Sequence, residues 1–192
     1  HLAEAHISLA ISLMLNEWDW INSEKEFKIG IDLNPNYATG HHWYSQWLLY
    51  HGRFDEALNE ISLAIELDPV SQGIVKDKGI HHYYHREYDE AIATGLQVLE
   101  LNSGFAPAHR LLSLAYAGKG LFNKAIGANQ KWGELTRNRT KTEVSLVQIY
   151  AASGLKSQAA RMIKNIESGD LGANDIRGMA LVYAALNEND MA

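Results

Sequence analysis

The sequence predicts an all-α fold: an α-α superhelix, or solenoid, in which antiparallel helix pairs stack one on another. Two observations carry this prediction, a pattern that recurs about every 34 residues and the helical spacing of apolar residues inside each copy. Aligned on the proline turns at Pro35 and Pro69, the repeats start near residues 4, 38, 72, 106, 140 and 173. We therefore expect a single array over residues 1–192, of about five and a half repeats, the last one incomplete.

Three columns of the repeat have clear physical roles. The twentieth place is small, which lets the two helices of one pair approach closely, and it holds Ser23, Ala57, Ala91, Ala125, Ala159 and Ala192. The eleventh place is mostly large and fills the space between pairs, and it holds Met14, Leu48, His82, Tyr116, Tyr150 and Tyr183. The fifteenth place is the turn, where glycine accepts backbone angles that other residues disfavour. It holds Gly52, Gly120 and Gly154, with Trp18, Arg86 and Asn187 as exceptions.

Composition narrows the classes of function. The chain is 46% hydrophobic and 21% charged, which is typical of a folded protein rather than a disordered one. Its formal net charge of −6 argues against nucleic-acid binding through this segment. The absence of cysteine excludes a disulfide framework, a thiolate zinc site and a cysteine nucleophile. No apolar run reaches the roughly 18 residues of a membrane span, so we expect no membrane contact through this segment.

The start of the chain shows no targeting signal. It begins at His1, and no charged segment followed by an apolar core opens it. We therefore expect an internal piece of a longer protein, located in the cytoplasm.

The repeat pattern resembles the tetratricopeptide repeat, and the resemblance covers essentially the whole chain. More narrowly, the segments LNPNYATGHHWYSQWLLYHGRFDEAL and ALVYAALNENDMA resemble the tetratricopeptide tail of large bacterial regulators. Those proteins join such a tail to a winged-helix DNA-binding domain, an adenylate-cyclase domain or a kinase domain. The resemblance implies a scaffold that binds proteins or peptides and serves as the interaction or sensory arm of a bacterial regulatory protein.

In arrays of this type the first helix of each pair lines a concave groove, which suggests where a partner peptide would bind. The residues at the inward places are His42, Trp43, Gln46, Tyr50, Lys76, Asp77, Tyr83, Tyr84, Arg110, Lys141, Gln148 and Arg177. Aromatic residues and arginine supply many binding hot spots, and spaced cations suit an acidic or C-terminal peptide. The alternative is that Trp43 and Tyr84 pack between repeats and that Lys76 pairs with a neighbour.

Catalytic and metal-binding motifs do not stand out, and we expect no enzymatic activity, no cofactor and no metal. His81 and His85 are four residues apart, a spacing that brings two imidazoles to one helical face. The intervening residues lack the glutamate of a zinc-protease motif, and His82 falls in a packing column. A chaperone-type carboxylate clamp is not supported either, because Ile80 and Leu111 break its register.

Two other functions stay open. The array could self-associate through its C-terminal end or convex face and so form a homodimer that pairs attached effector domains. It could also hold a small-molecule sensor pocket within the superhelix, which we would expect as a polar cavity near Tyr50 and Tyr84.

The third, fourth and last repeats depart from the pattern. Gly95 and Asn129 replace the usual large residue of the second helix, and Trp132 stands where a small residue is usual. We expect the Trp132 ring to compensate by packing near Gly95. The last repeat should form a first helix over roughly residues 173–186 and stops where its second helix should begin, so that end needs a cap or a covering molecule.

Overall fold

The computed structural model describes residues 2–167, and this part of the chain folds into ten α-helices joined by short turns, without a strand. The helices are α1 (Leu2–Ser12), α2 (Trp20–Leu33), α3 (Ala38–Tyr50), α4 (Phe54–Leu67), α5 (Gln72–Tyr84), α6 (Tyr88–Leu101), α7 (Ala106–Gly118), α8 (Phe122–Thr136), α9 (Arg139–Ala152) and α10 (Lys156–Glu167). A π-helical turn, Leu13–Glu17, extends α1. The odd-numbered helices begin within two residues of the first five predicted repeat starts, whereas the sixth repeat lies outside the described residues.

The chain divides into two compact units, unit 1 over residues 1–94 and unit 2 over residues 95–192. In unit 1, α1 packs against α2 and α3 packs against α4, and α5 follows against α4 and α3. In unit 2, α7 packs against α8 and α9 packs against α10. A single array over residues 1–192 stays a prediction.

The turn column adopts the left-handed backbone conformation in every described repeat. The φ angles are +70° at Gly52, +78° at Gly120 and +79° at Gly154. The two described exceptions adopt it as well, with φ of +57° at Trp18 and +64° at Arg86. The turn geometry is therefore set by the repeat and not by glycine, and the two non-glycine residues carry its conformational cost.

The small column is buried completely. Ser23, Ala57, Ala91, Ala125 and Ala159 are each 0% exposed. The Ser23 hydroxyl donates a hydrogen bond of 2.9 Å to the carbonyl oxygen of Ala10, which joins α2 to α1. Ala192 lies outside the described residues. The close approach predicted for the two helices of a pair is confirmed.

The large column is only partly apolar. Met14 and Leu48 are each 1% exposed and pack in the core of unit 1 with Ile7 and Phe27. His82 instead keeps a polar partner, since its Nδ1 lies 2.6 Å from Glu87 Oε2.

Two leucines lie nearest to the Cβ position of Gly95, and packing of the Trp132 ring near Gly95 stays a prediction. A Cβ at Gly95 would lie 2.9 Å from both Cγ and Cδ2 of Leu112, and the next nearest atom belongs to Leu111. Trp132 is nevertheless buried, at 8% exposure. Asn129 is also fully buried, and its Nδ2 donates a hydrogen bond of 3.0 Å to the carbonyl oxygen of Thr142.

Candidate functional site

The predicted groove residues are distributed over both units. Those in unit 1 are His42, Trp43, Gln46 and Tyr50 on α3, and Lys76, Asp77, Tyr83 and Tyr84 on α5. Arg110 on α7 and Lys141 and Gln148 on α9 belong to unit 2, and Arg177 lies outside the described residues. Because α3 and α5 pack together, the eight residues of unit 1 can be described as one surface, named here the α3/α5 surface.

A carboxylate that joins the two helices lies at the centre of this surface. Oδ2 of Asp77 lies 2.8 Å from Nε2 of His42, and Lys76 donates a hydrogen bond from its ammonium group to Oδ1 of Asp77. Burial alone would raise the pKa of Asp77, but the hydrogen bond from His42 and the charge of Lys76 hold that pKa below its usual value. Lys76 therefore has a carboxylate partner, as the alternative interpretation expected.

Two tyrosines extend from the same surface into solvent. Tyr50 is 59% exposed and lies two turns after His42 on α3, and Tyr84 is 57% exposed at the end of α5. Although most of the Tyr50 side chain is exposed, partial burial, together with Tyr84 and Asp77 nearby, raises the pKa of Tyr50. The Tyr50 hydroxyl therefore stays protonated at neutral pH and can donate a hydrogen bond.

Gln46 lies between His42 and Tyr50 on the same stripe of α3. Its Nε2 is shielded from solvent and has no hydrogen-bond partner among the residues that the structure describes. An unsatisfied buried donor of this kind costs about 1–3 kcal/mol.

Two of the predicted aromatic residues serve packing rather than exposure. Trp43 packs against the core of unit 1, with its ring centroid 5.9 Å from that of His42. The Tyr83 ring lies 5.3 Å from that of Tyr84 and 6.0 Å from that of Tyr88, and burial raises the pKa of Tyr83. The alternative interpretation thus describes Trp43 correctly, whereas Tyr84 remains exposed.

His81 links α5 to α3 from within the core, and the groove prediction missed it. It is 1% exposed, with Nδ1 2.6 Å from the carbonyl oxygen of Asp77 and Nε2 3.2 Å from that of Ser45 on α3. Burial lowers the pKa of His81. A signal was available, because the tenth place of the repeat otherwise holds apolar residues, and a histidine there must find polar partners inside the core.

The two histidines considered for a metal have separate partners. His81 contacts the backbone carbonyls of Asp77 and Ser45, whereas Nδ1 of His85 lies 3.2 Å from Oε1 of Glu87. Over residues 2–167, no group of three or more metal-ligating side chains could hold a metal ion.

The groove residues of unit 2 do not complete a basic stripe by themselves. The guanidinium carbon of Arg110 lies 5.5 Å from the ring centroid of Trp132, a cation–π contact, and Gln148 is partly buried. Of the predicted cations, Lys76 is paired, Arg110 lies over a ring, Lys141 is exposed on α9, and Arg177 is outside the described residues. Within the described part of the chain, no helix is both long and apolar enough to cross a membrane.

Comparison with solved structures identifies the fold. No protein-family model and no curated protein matches the sequence. Among solved structures, a tetratricopeptide repeat protein from Parabacteroides merdae is 13% identical and superposes with a TM-score of 0.81 over 98% of this chain and 73% of that one. TTC0263, a thermophilic protein of this type in Thermus thermophilus, is 17% identical with a TM-score of 0.78 over 96% and 98%. MamA from Desulfovibrio magneticus is 19% identical with a TM-score of 0.68 over 86% and 93%. The chain therefore has the helical solenoid fold of tetratricopeptide-repeat proteins, which is the fold class that its sequence predicts.

Proposed function

We propose that this chain is a protein-interaction scaffold that holds an extended peptide segment on the α3/α5 surface. The observation that carries the proposal is the pair of exposed tyrosines, Tyr50 and Tyr84, beside the hydrogen-bonded group formed by His42, Lys76 and Asp77. Tyrosine provides a large, rigid contact area with a polar end, which is why it is frequent among binding hot spots.

The charges of the surface favour a partner segment with little net charge. Lys76 and Asp77 balance each other, and His42 contributes no formal charge when it is neutral. An acidic segment would have to compete with Asp77 for Lys76, so the acidic ligand suggested by the sequence is disfavoured here. The preferred segment instead supplies apolar side chains that pack on the tyrosine rings.

We further propose that the scaffold is the interaction arm of a larger bacterial regulatory protein. The support is the resemblance of the segments around α3 and residues 180–192 to the tails of such regulators. Self-association is the competing role. Light scattering over a range of protein concentrations separates the two, because a constant monomeric mass contradicts self-association.

The peptide proposal is tested by selection followed by point substitution. Peptides are selected on the purified chain from a phage-displayed random library, and the affinity of the best synthetic peptide is measured by fluorescence anisotropy. The double variant Tyr50→Ala/Tyr84→Ala should weaken binding at least about 30-fold, because a hot-spot side chain contributes about 2 kcal/mol or more.

The matched control is Trp18→Gly, which removes a 69% exposed aromatic side chain of unit 1 that is not part of the α3/α5 surface. It should leave the peptide affinity unchanged. If the double tyrosine variant binds as tightly as the parent protein, the α3/α5 surface is not the binding site.

A further inference from the structure

Tyr50 and Tyr84 occupy equivalent places in consecutive repeats. Each is the thirteenth residue of its repeat and the last residue of its helix, α3 or α5, and each is more than half exposed. In the other described repeats this place holds Asn16, Gly118 and Ala152. Among the described repeats, therefore, only the second and third present an aromatic ring here, and they do so on helices of unit 1 that pack together.

Contacts within unit 1 order the Tyr84 ring and bring Tyr50 beside it. The Tyr84 ring meets the Tyr83 ring edge-on, with centroids 5.3 Å apart and planes at 70°. The Tyr83 centroid lies 6.0 Å from that of Tyr88 at the start of α6. Burial raises the pKa of Tyr50, and Tyr84 and Asp77 raise it further, which indicates that the two exposed tyrosines are close neighbours. The Tyr84 ring is thus partly ordered before a segment binds, which lowers the entropy cost of binding.

The spacing of the two tyrosines favours one backbone conformation of a bound segment. Because α3 and α5 are both first helices of repeats and pack together, equivalent places on them are separated by about the distance between packed helix axes, roughly 8–10 Å. A polyproline II segment presents every third side chain on the same face after about 9 Å. A β-strand presents every second side chain after about 7 Å, which is too short to contact both rings in the same way.

The chemistry of the surface favours the same conformation. Polyproline II has no internal hydrogen bonds, so its carbonyl oxygens are free to accept from the tyrosine hydroxyls. Proline supplies a flat apolar ring and a fixed φ, and it has no N–H group that the surface would have to satisfy. Lys76 and Asp77 balance each other, so the surface suits a segment without charge.

We propose that the α3/α5 surface binds a proline-rich segment in the polyproline II conformation, with the two prolines of a P-x-x-P pair on the rings of Tyr50 and Tyr84. Docking of such segments on exposed aromatic side chains is a general mode of peptide recognition. This inference rests on the proposed function, because it names the class of peptide that the scaffold holds.

Two synthetic peptides of identical composition test the spacing. The peptide AAPAAPAAPA contains P-x-x-P pairs, whereas AAAPAPAPAA contains the same three prolines without any such pair. Binding of each to the whole chain is followed by ¹H–¹⁵N NMR titration. AAPAAPAAPA should bind with a dissociation constant on the order of 0.1–1 mM and shift the resonances of α3 and α5 near the tyrosines. AAAPAPAPAA should bind at least about 5-fold more weakly, because only one proline at a time can contact a ring.

Substitution of the tyrosines separates the contribution of the rings from that of the hydroxyls. Tyr50→Phe/Tyr84→Phe keeps both rings and should weaken binding of AAPAAPAAPA about 3–10-fold, the effect of losing one or two hydrogen bonds. Tyr50→Ala/Tyr84→Ala should weaken binding at least about 30-fold. The matched control is Tyr116→Phe/Tyr150→Phe, which removes two tyrosine hydroxyls from unit 2 and should leave the affinity unchanged. Circular dichroism spectra that match the parent chain establish that each variant is folded.

Three results contradict the inference: equal affinity for the two peptides, no binding of AAPAAPAAPA at about 5 mM, well above the expected dissociation constant, or a Tyr50→Ala/Tyr84→Ala variant that binds AAPAAPAAPA as the parent does. The peptide selected from the random library then distinguishes this failure from that of the proposed function. If its binding depends on Tyr50 and Tyr84, the α3/α5 surface is still the binding site and only the proline-rich class is wrong. If its binding does not depend on them, both proposals are wrong.

Discussion

Alanine substitutions at two helix glycines, Gly95 and Gly127, should change the free energy of unfolding in opposite directions. Gly95 lies in α6 and Gly127 in α8, both inside second helices of repeats. An alanine in a helix interior is favoured over glycine by about 0.8–1 kcal/mol. At Gly127 an added Cβ would meet no atom within 4 Å, so Gly127→Ala should stabilise unit 2 by about 0.5–1 kcal/mol.

At Gly95 the same methyl group has no room. The added Cβ would lie 2.9 Å from Cγ of Leu112, an atom that cannot move without moving the whole side chain, and Leu112 is only 3% exposed. Overpacking of this kind costs about 1–3 kcal/mol. After subtracting the helix-propensity gain, Gly95→Ala should destabilise the protein by about 0–2 kcal/mol.

Urea unfolding followed by far-UV circular dichroism measures both changes, provided that the slope of the free energy of unfolding against urea concentration is the same in all variants. A double-mutant cycle then tests the contact itself. Leu112→Ala should cost less in the Gly95→Ala background than in the parent chain, with a coupling of at least about 0.5 kcal/mol. If Gly95→Ala is as stable as Gly127→Ala, the packing argument is refuted.

Three further predictions concern other contacts. Arg86→Gly should stabilise the protein by about 0.5–1 kcal/mol, because glycine adopts the left-handed conformation without the steric cost that arginine has, and this gain exceeds the additional entropy that glycine loses on folding. A thermal melt should show a higher midpoint. Ala57→Leu should destabilise by about 1–3 kcal/mol, because Ala57 is 0% exposed between α3 and α4, and urea unfolding will measure the loss. The hydrogen bond that His41 donates to the Glu60 carboxylate raises the pKa of His41 above its ordinary value of 6.5, so the stability that this contact contributes is fully present below pH 6.5 and is lost as pH rises through the folded pKa. An NMR titration of His41 should show this raised pKa, and Glu60→Gln should lower it.

Much of the fold could be predicted from the sequence because each repeat makes the same local contacts. The small twentieth place and the turn at the fifteenth place have the same environment in every described copy. The residues aligned at each of these places therefore predict one shared local geometry. The turn is more general than the glycines that suggested it, because Trp18 and Arg86, which the sequence marks as exceptions, adopt the same left-handed conformation. Such regularities depend on spacing along the chain, which a single sequence contains.

The candidate site could be predicted only in part. His42 and Asp77, both predicted to face inward, are in contact, and Tyr50 and Tyr84 are exposed, but the assignment of these residues to a binding groove stays a prediction. The sequence did not show that Lys76 pairs with Asp77, because an ion pair depends on which rotamers two side chains adopt. Several contact partners are possible for each of these residues, and the sequence does not indicate which contact forms.

Periodicity in the sequence by itself determined the repeat, the helix pairs and the positions of their turns. Three-dimensional packing alone settled the details that differ between copies. Leu112 occupies the space beside Gly95, and Thr142 packs closely against Gly133. The physical reason is that these contacts join side chains of different helices. Their outcome depends on the volume and shape of the particular neighbours and not on the period that all repeats share.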